Sequence, residues 1–117
     1  MIAVIFEVLP NSQGHAQYFN FAASLRADLE STDGFQSIER FESLSQPGKL
    51  LSLSFWRDEQ AVAAWRNSLP HRQAQSAGRS GALAGYRLRV AQVVRDYGHI
   101  DRDQAPADSR QAHEPPV

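Results

Sequence analysis

Most of the side chains in this sequence that could do chemistry fall between Ser54 and His71, SFWRDEQAVAAWRNSLPH. An apolar run there gives way to a helical pattern that stops at Pro70, drawing Trp56, Trp65 and His71 together along the chain. Proline lacks a backbone N–H and pushes the preceding residue out of helical dihedrals, so the pattern predicts a break, with Ser68 or Leu69 as a fresh cap. His71 then belongs to the first turn of a second helical segment running to about Gly78, near the positive end of its dipole. That position favours neutral imidazole, the form that accepts a proton or binds a metal. Gln75 and Arg79 follow four and eight residues later on roughly the same face, with Arg72 adjacent. The plainer reading is a surface histidine bonded locally.

Trp65 shares a stripe with Val62 and Leu69, which suits either core packing or the wall of a pocket for a flat aromatic molecule. Trp56, at the end of a strand, reads as a core or interface anchor. Arg57, Arg66, Arg72 and Arg79 surround the helix break, and Arg87, Arg89 and Arg95 alternate further on. A solvated face, or ion pairs to Glu39 and Glu42, competes here with recognition of a carboxylate. His15, His99 and His113 show no ligand spacing, and no metal site is expected. The sequence contains no phosphate-cradling glycine loop, no G-x-S-x-G and no H-E-x-x-H.

A single small domain must position these residues. The sequence has 117 residues, 42% of them hydrophobic, and a formal charge of −1. With a pI near 6.4 it has no global field to attract nucleic acid or anionic lipid. The absence of cysteine excludes disulfides, thiolate metal sites and a cysteine nucleophile. No apolar run approaches the ~20 residues that span a bilayer, and Met1 leads straight into a strand without a basic signal region, so a cytoplasmic location is expected.

Residues 2–9 (IAVIFEVL) are apolar on both alternating sets, predicting a strand covered on both faces. After the loop Pro10-Asn11-Ser12-Gln13-Gly14, Tyr18, Ala22, Leu25 and Leu29 recur at helical spacing, with Arg26, Asp28 and Glu30 turned to water. Asp33-Gly34 signals a turn before a polar strand of imperfect alternation, 35–43, and Gln46-Pro47-Gly48-Lys49 a second turn before the strand 50–56. Asp58 is a natural N-cap, with Glu59 favourable in the first helical turn. Residues 83–97 read as a long strand with Tyr86, Leu88 and Val90 on one face. From His99 the composition turns polar and holds three of the six prolines, so 99–117 reads as a disordered or loosely docked tail on a 1–98 domain. The order strand, helix, strand, strand, helix, strand predicts an α+β, ferredoxin-like domain: a four-stranded antiparallel sheet with both helices on one face. Two helices cover one face only, yet Leu50, Trp56, Val93 and the second set on the first strand also want burial, which predicts a homodimer packed sheet to sheet.

Particular residues then match a known pattern. The run from Gly34-Phe35-Gln36-Ser37 through Pro47-Gly48-Lys49-Leu50-Leu51-Ser52-Leu53-Ser54-Phe55-Trp56-Arg57-Asp58-Glu59 resembles the antibiotic biosynthesis monooxygenase (ABM) family. Ala64-Trp65-Arg66, Pro70-His71-Arg72, Gly78-Arg79, Tyr86-Arg87 and Val94-Arg95-Asp96-Tyr97-Gly98 extend the resemblance over about residues 2–98. Within the family it is similar to the bacterial branch grouped with haem-degrading monooxygenases. The resemblance implies a dimeric ferredoxin-like α/β barrel. It also implies a range of activities: cofactor-independent oxygenation of polyphenols or quinols, haem cleavage, or no known activity. Haem-degrading members use a tryptophan and a histidine on the second helix and an asparagine on the first strand. Trp65 matches that tryptophan, whereas Gln75 stands at the histidine position, His71 falls short of it, and IAVIFEVL contains no asparagine.

The expectation is therefore a homodimeric ABM-type monooxygenase that oxidises a flat aromatic substrate with O2, haem among the candidates. His71 would act as base or iron ligand, Trp65 as pocket wall, and Arg72 or Arg79 would orient an acidic group. The cofactor is either none or haem as substrate or ligand, and neither nucleic acid nor membrane is an expected partner. The alternative is a non-catalytic small-ligand-binding or interaction protein on the same dimeric scaffold.

Overall fold

The computed structural model describes residues 1–10, 23, 25–68 and 83–113. The elements are β1 (Ile2–Pro10), helical residues 25–30 (α1), β2 (Phe35–Glu42), β3 (Leu50–Trp56), α2 (Glu59–Arg66), β4 (Leu83–Gln92) and α3 (Ala107–His113). The strands form one antiparallel sheet in the order β2-β3-β1-β4. This is the ferredoxin-like arrangement expected from the order of elements: the β-α-β units are split, each leaving room for a strand of the other. Among the described residues no helix is long and apolar enough to cross a membrane.

Register sorts the side chains into two faces, because residues directly opposite one another share a side. On one face four rows cross the sheet from β2 to β4. They are Phe35–Trp56–Ile2–Gln92, Ile38–Ser54–Val4–Val90, Arg40–Ser52–Phe6–Leu88 and Glu42–Leu50–Val8–Tyr86. The helices cover this face. Leu29 of α1 and Ala61 and Val62 of α2 bury themselves against Ile2 and Trp56, and Val4, Phe35, Ile38 and Trp65 pack around them. Leu50 and Trp56, grouped by the sequence reading with residues wanting cover from a second protomer, therefore lie on the helix side, and Trp56 is only 2% exposed within the single chain. The reverse face carries Ala3, Ile5 and Leu9 of β1, Leu51, Leu53 and Phe55 of β3, and Phe41 of β2.

Local signals place the ends of the elements. Asp58 has extended dihedrals and its Oδ1 accepts the Ala61 N–H at 2.9 Å, which caps α2 as the sequence predicts. Arg57 bonds both Asp58 and Asp33, fastening α2 to the turn before β2. The Arg57 guanidinium holds the Asp33 carboxyl below the usual range, and the Ala61 N–H, with Arg57 second, does the same for Asp58. Whatever these carboxylates add to stability is present above their ordinary pKa and is lost as pH falls through the lower folded values. Both turn glycines have positive φ, Gly34 at +87° and Gly48 at +85°.

Three features depart from the sequence reading. β4 stops at Gln92 rather than running to residue 97. Its partner β1 begins opposite it at Ile2, and a further bond runs from the Val93 N–H to the Met1 carbonyl. Within the polar tail, residues 107–113 form α3, a short helix with no buried residue, tied back to its own approach by Arg110 donating to the Ala105 carbonyl. The imperfect alternation of β2 is a bulge between Phe35 and Ser37, which puts Phe35 and Ile38 on the same face three residues apart. The expectations for Tyr18, Ala22, Leu69 and the Pro70 break lie outside the described residues.

Candidate functional site

The helix-covered face changes character along its length. At the Ile2–Trp56 end it is filled by Leu29, Ala61 and Val62. Two rows further on, the sheet presents Arg40, Ser52, Phe6 and Leu88, and then Glu42, Leu50, Val8 and Tyr86. At β3 these rows are closed, with Ser52 8% exposed, although Glu42 at the β2 end is exposed. Towards β4 they open, with Tyr86 55% and Leu88 53% exposed, and Val90 is exposed beside them. The Phe6 and Tyr86 rings meet edge to face, 5.9 Å between centroids. The result is an apolar, ring-bearing strip that rises out of the core on the helix side. Single exposed apolar residues are ordinary, but a contiguous set beside a packed core is where a small molecule finds area to bury.

Polar groups punctuate the strip. Ser54 accepts the Trp56 Nε1–H at 2.9 Å, so that hydroxyl is committed to the core. Ser52, one row along, forms no such bond among the described residues. Arg40 shares its row, is half-buried, and keeps its Nε shut away without a hydrogen-bond partner. Among the described residues no three His, Cys, Asp or Glu side chains converge to hold a metal ion.

The residues singled out in the sequence fall in different places. Trp65 is half-buried on α2 and packs against the core cluster, on the helix side of the sheet. His71, Arg72 and Arg79, together with Gln75 and His15, lie outside the described residues. Trp56 is a core residue. Arg87 and Arg89 stand opposite Glu7 and Ile5, which puts them on the reverse face, away from the strip. Among the described residues the ion pairs fall elsewhere than on Glu39 and Glu42: Glu7 is shared by Arg89 at 3.4 Å and Lys49 at 3.5 Å, and Arg57 pairs with Asp33 and Asp58. The sequence reading missed Arg40, Ser52 and Phe6. The three-residue step from Phe35 to Ile38 was the available signal, since it shifts the alternation that carries Arg40 to the helix side.

Comparison with known proteins gives this geometry a context. The family model for antibiotic biosynthesis monooxygenase matches residues 1–77. A jasmonate monooxygenase from Pyricularia oryzae is 50% identical over 94 residues, a region that is 80% of this chain and 44% of that protein, so this chain spans less than half the length of that relative. An uncharacterised Bacillus subtilis protein, YqjZ, is 30% identical over 95 residues, covering 80% of this chain and 79% of its own. Among solved structures, a Mycobacterium tuberculosis protein superposes with a TM-score of 0.74 at 16% identity, covering 83% of this chain and 98% of that one. A Nitrosomonas europaea structure described as a candidate antibiotic biosynthesis monooxygenase gives a TM-score of 0.70 at 8% identity, over 80% of this chain and 99% of that one. These two share the fold. The family match over most of the domain, together with the sequence identity to both relatives, places this chain in the antibiotic biosynthesis monooxygenase family.

Proposed function

We propose that this chain is an O2-dependent monooxygenase whose substrate is a small, largely apolar carboxylic acid of the jasmonate class, received on the strip formed by Phe6, Tyr86, Leu88 and Val90. The observation that carries the reading is the 50% identity to the Pyricularia oryzae jasmonate monooxygenase. The strip is consistent with it, because an alicyclic acid with a hydrocarbon side chain needs apolar area more than polar contacts. Hydroxylation of such a substrate places one atom of O2 in the product and reduces the other to water, with two electrons from the C–H bond and two from a co-reductant. His71 is proposed as the base and Trp65 as a wall of the pocket, on the sequence argument alone; Arg72 and Arg79 remain its candidates for orienting an acidic group. A flat aromatic substrate is the second reading, favoured by the edge-to-face pair of Phe6 and Tyr86, against which another ring would stack. Haem needs an iron ligand on this face. The relatives lend haem no support, and it forms no part of the proposal.

The test is incubation with jasmonic acid, a reductant and isotopically labelled O2, read by mass spectrometry. One labelled oxygen atom in the product, lost in His71→Ala, is the expected result. Turnover of a quinol instead would move the assignment to the aromatic reading. Saturable binding without oxygen incorporation from any substrate would leave a binding protein.

We further propose that the chain is a homodimer closed through the reverse face of the sheet. There Ile5, Leu51, Leu53 and Phe55 are half-buried, while the described helices bury their side chains on the opposite face. Leu53 stands opposite Ile5 on one side and Glu39 on the other. Light scattering is expected to show a dimer of the 13.0 kDa chain, and a monomer for Leu53→Glu, which would bury an unpaired charge. A monomeric wild type at tens of micromolar would remove the dimer.

A further inference from the structure

Arg40 stands apart from the other described arginines in its surroundings. Arg26, Arg57 and Arg89 each pair with a carboxylate on open surface. Arg40 is turned by the β2 bulge onto the helix-covered face, half-buried, next to Ile38, which packs against the core. Its Nε is buried without a hydrogen-bond partner. A buried, unpartnered donor on a cation is rare in folded proteins and calls for an explanation. Its row supplies one. Ser52 lies directly opposite on β3, with a hydroxyl uncommitted among the described residues, and Phe6 and Leu88 continue the row across β1 and β4. With strands about 4.8 Å apart, the row is about 14 Å long, cationic and hydroxylic at one end and apolar at the other. That is the shape of recognition for a small amphipathic acid: a planar fork of N–H donors for the carboxylate and hydrocarbon surface for the remainder.

We propose that Arg40, with Ser52 beside it, rather than Arg72 or Arg79, is the carboxylate-binding residue of the site, holding the acid group of an apolar substrate while its hydrocarbon part lies along Phe6 and Leu88. The inference deepens the proposed function and rests on its assignment of the substrate as an acid. Neutral esters of the same skeleton lose this contact and leave the guanidinium unpaired, so the site discriminates by charge.

The test is calorimetric titration of the full chain with jasmonic acid, methyl jasmonate and octanoic acid. The wild type is expected to prefer jasmonic acid to its methyl ester by about 10-fold or more, the range of a hydrogen bond to a charged group. Arg40→Leu should bring the ratio to about one by weakening the acid alone. Arg40→Lys should keep part of the preference, since it restores the charge but not the fork. Replacing an unpaired, half-buried cation with an apolar side chain should leave the melting temperature unchanged or raised. If leucine lowers it, Arg40→Gln takes its place. Equal affinity for acid and ester in the wild type, or a preference that survives loss of Arg40, would overturn the assignment. Arg40-dependent binding of jasmonic acid without oxygenation would sink the substrate reading and keep the anchor. Equal oxygenation of acid and ester, unchanged in Arg40→Leu, would do the reverse. If neither jasmonate species binds, octanoic acid decides: Arg40-dependent binding sustains the anchor, and no binding removes it.

Discussion

Trp56→Ala is expected to destabilise the fold by about 3–5 kcal/mol, the usual range for removing a large aromatic side chain from a core. Trp56 is 2% exposed and is the largest fully buried side chain among the described residues. It sits where α1, α2 and the sheet meet, in one cluster with Ile2, Leu29, Ala61 and Val62. The Phe35 ring lies edge-on to it, with centroids 5.4 Å apart, so its loss opens a cavity that a rigid sheet cannot close. Its Nε1–H bond to Ser54 goes as well, inside a region where Ser54 is itself buried. A small domain has about 5–15 kcal/mol in total, so the loss removes a large share of its stability. Urea unfolding followed by Trp65 fluorescence should show a lowered midpoint with little change in slope. Trp56→Phe keeps most of the volume and removes the N–H, and should fall between the two. A stability loss below about 1 kcal/mol in the alanine variant would mean that the cluster is not the core described here.

Gly34→Ala is expected to cost about 2–4 kcal/mol, although it adds one methyl group. Two independent penalties meet at this residue. The φ of +87° is a left-handed conformation that non-glycine residues enter at a cost of about 1–2 kcal/mol. The new Cβ would also lie 2.6 Å from the Cβ of Ala61, with the Arg57 guanidinium at 3.3 Å. Arginine can move; Ala61 cannot easily do so, because it is buried in α2 and its own N–H is the one capped by Asp58. Either the turn or the helix must shift, and the Arg57 N–H bond to the Gly34 carbonyl at 2.8 Å ties the two together. A double-mutant cycle with Ala61→Gly separates the terms, since the glycine relieves the contact and leaves the backbone strain. Strong coupling between the two sites is the expected outcome. Additive losses would show that backbone conformation alone makes Gly34 necessary.

Much of this architecture is legible without coordinates because its causes are local. The apolar runs 2–9 and 50–56, the turn at Asp33-Gly34, the glycine turn before β3 and the Asp58 cap each follow from the preferences of a few neighbouring residues. The order of elements then restricts the topology to the split β-α-β pattern. Family membership was readable for the same reason, since runs such as Pro47–Glu59 are contiguous. The candidate site is a different matter. In FQSIERFE only the three-residue step from Phe35 to Ile38 hints at the face of Arg40, and the bulge settles it, because one extra residue exchanges the two faces of a strand.

The four strands, the helix after Asp58, their order and the family follow from residues near one another in the chain, whereas α3 and the end of β4 do not show in its pattern. Tertiary packing settled that Trp56 belongs to the core rather than to an interface, that β4 ends at Gln92 where β1 no longer pairs with it, and that Glu7 collects the neighbouring cations. Each of these is a property of register between strands distant in sequence. Register is set by the packing of whole faces, so no local pattern contains it.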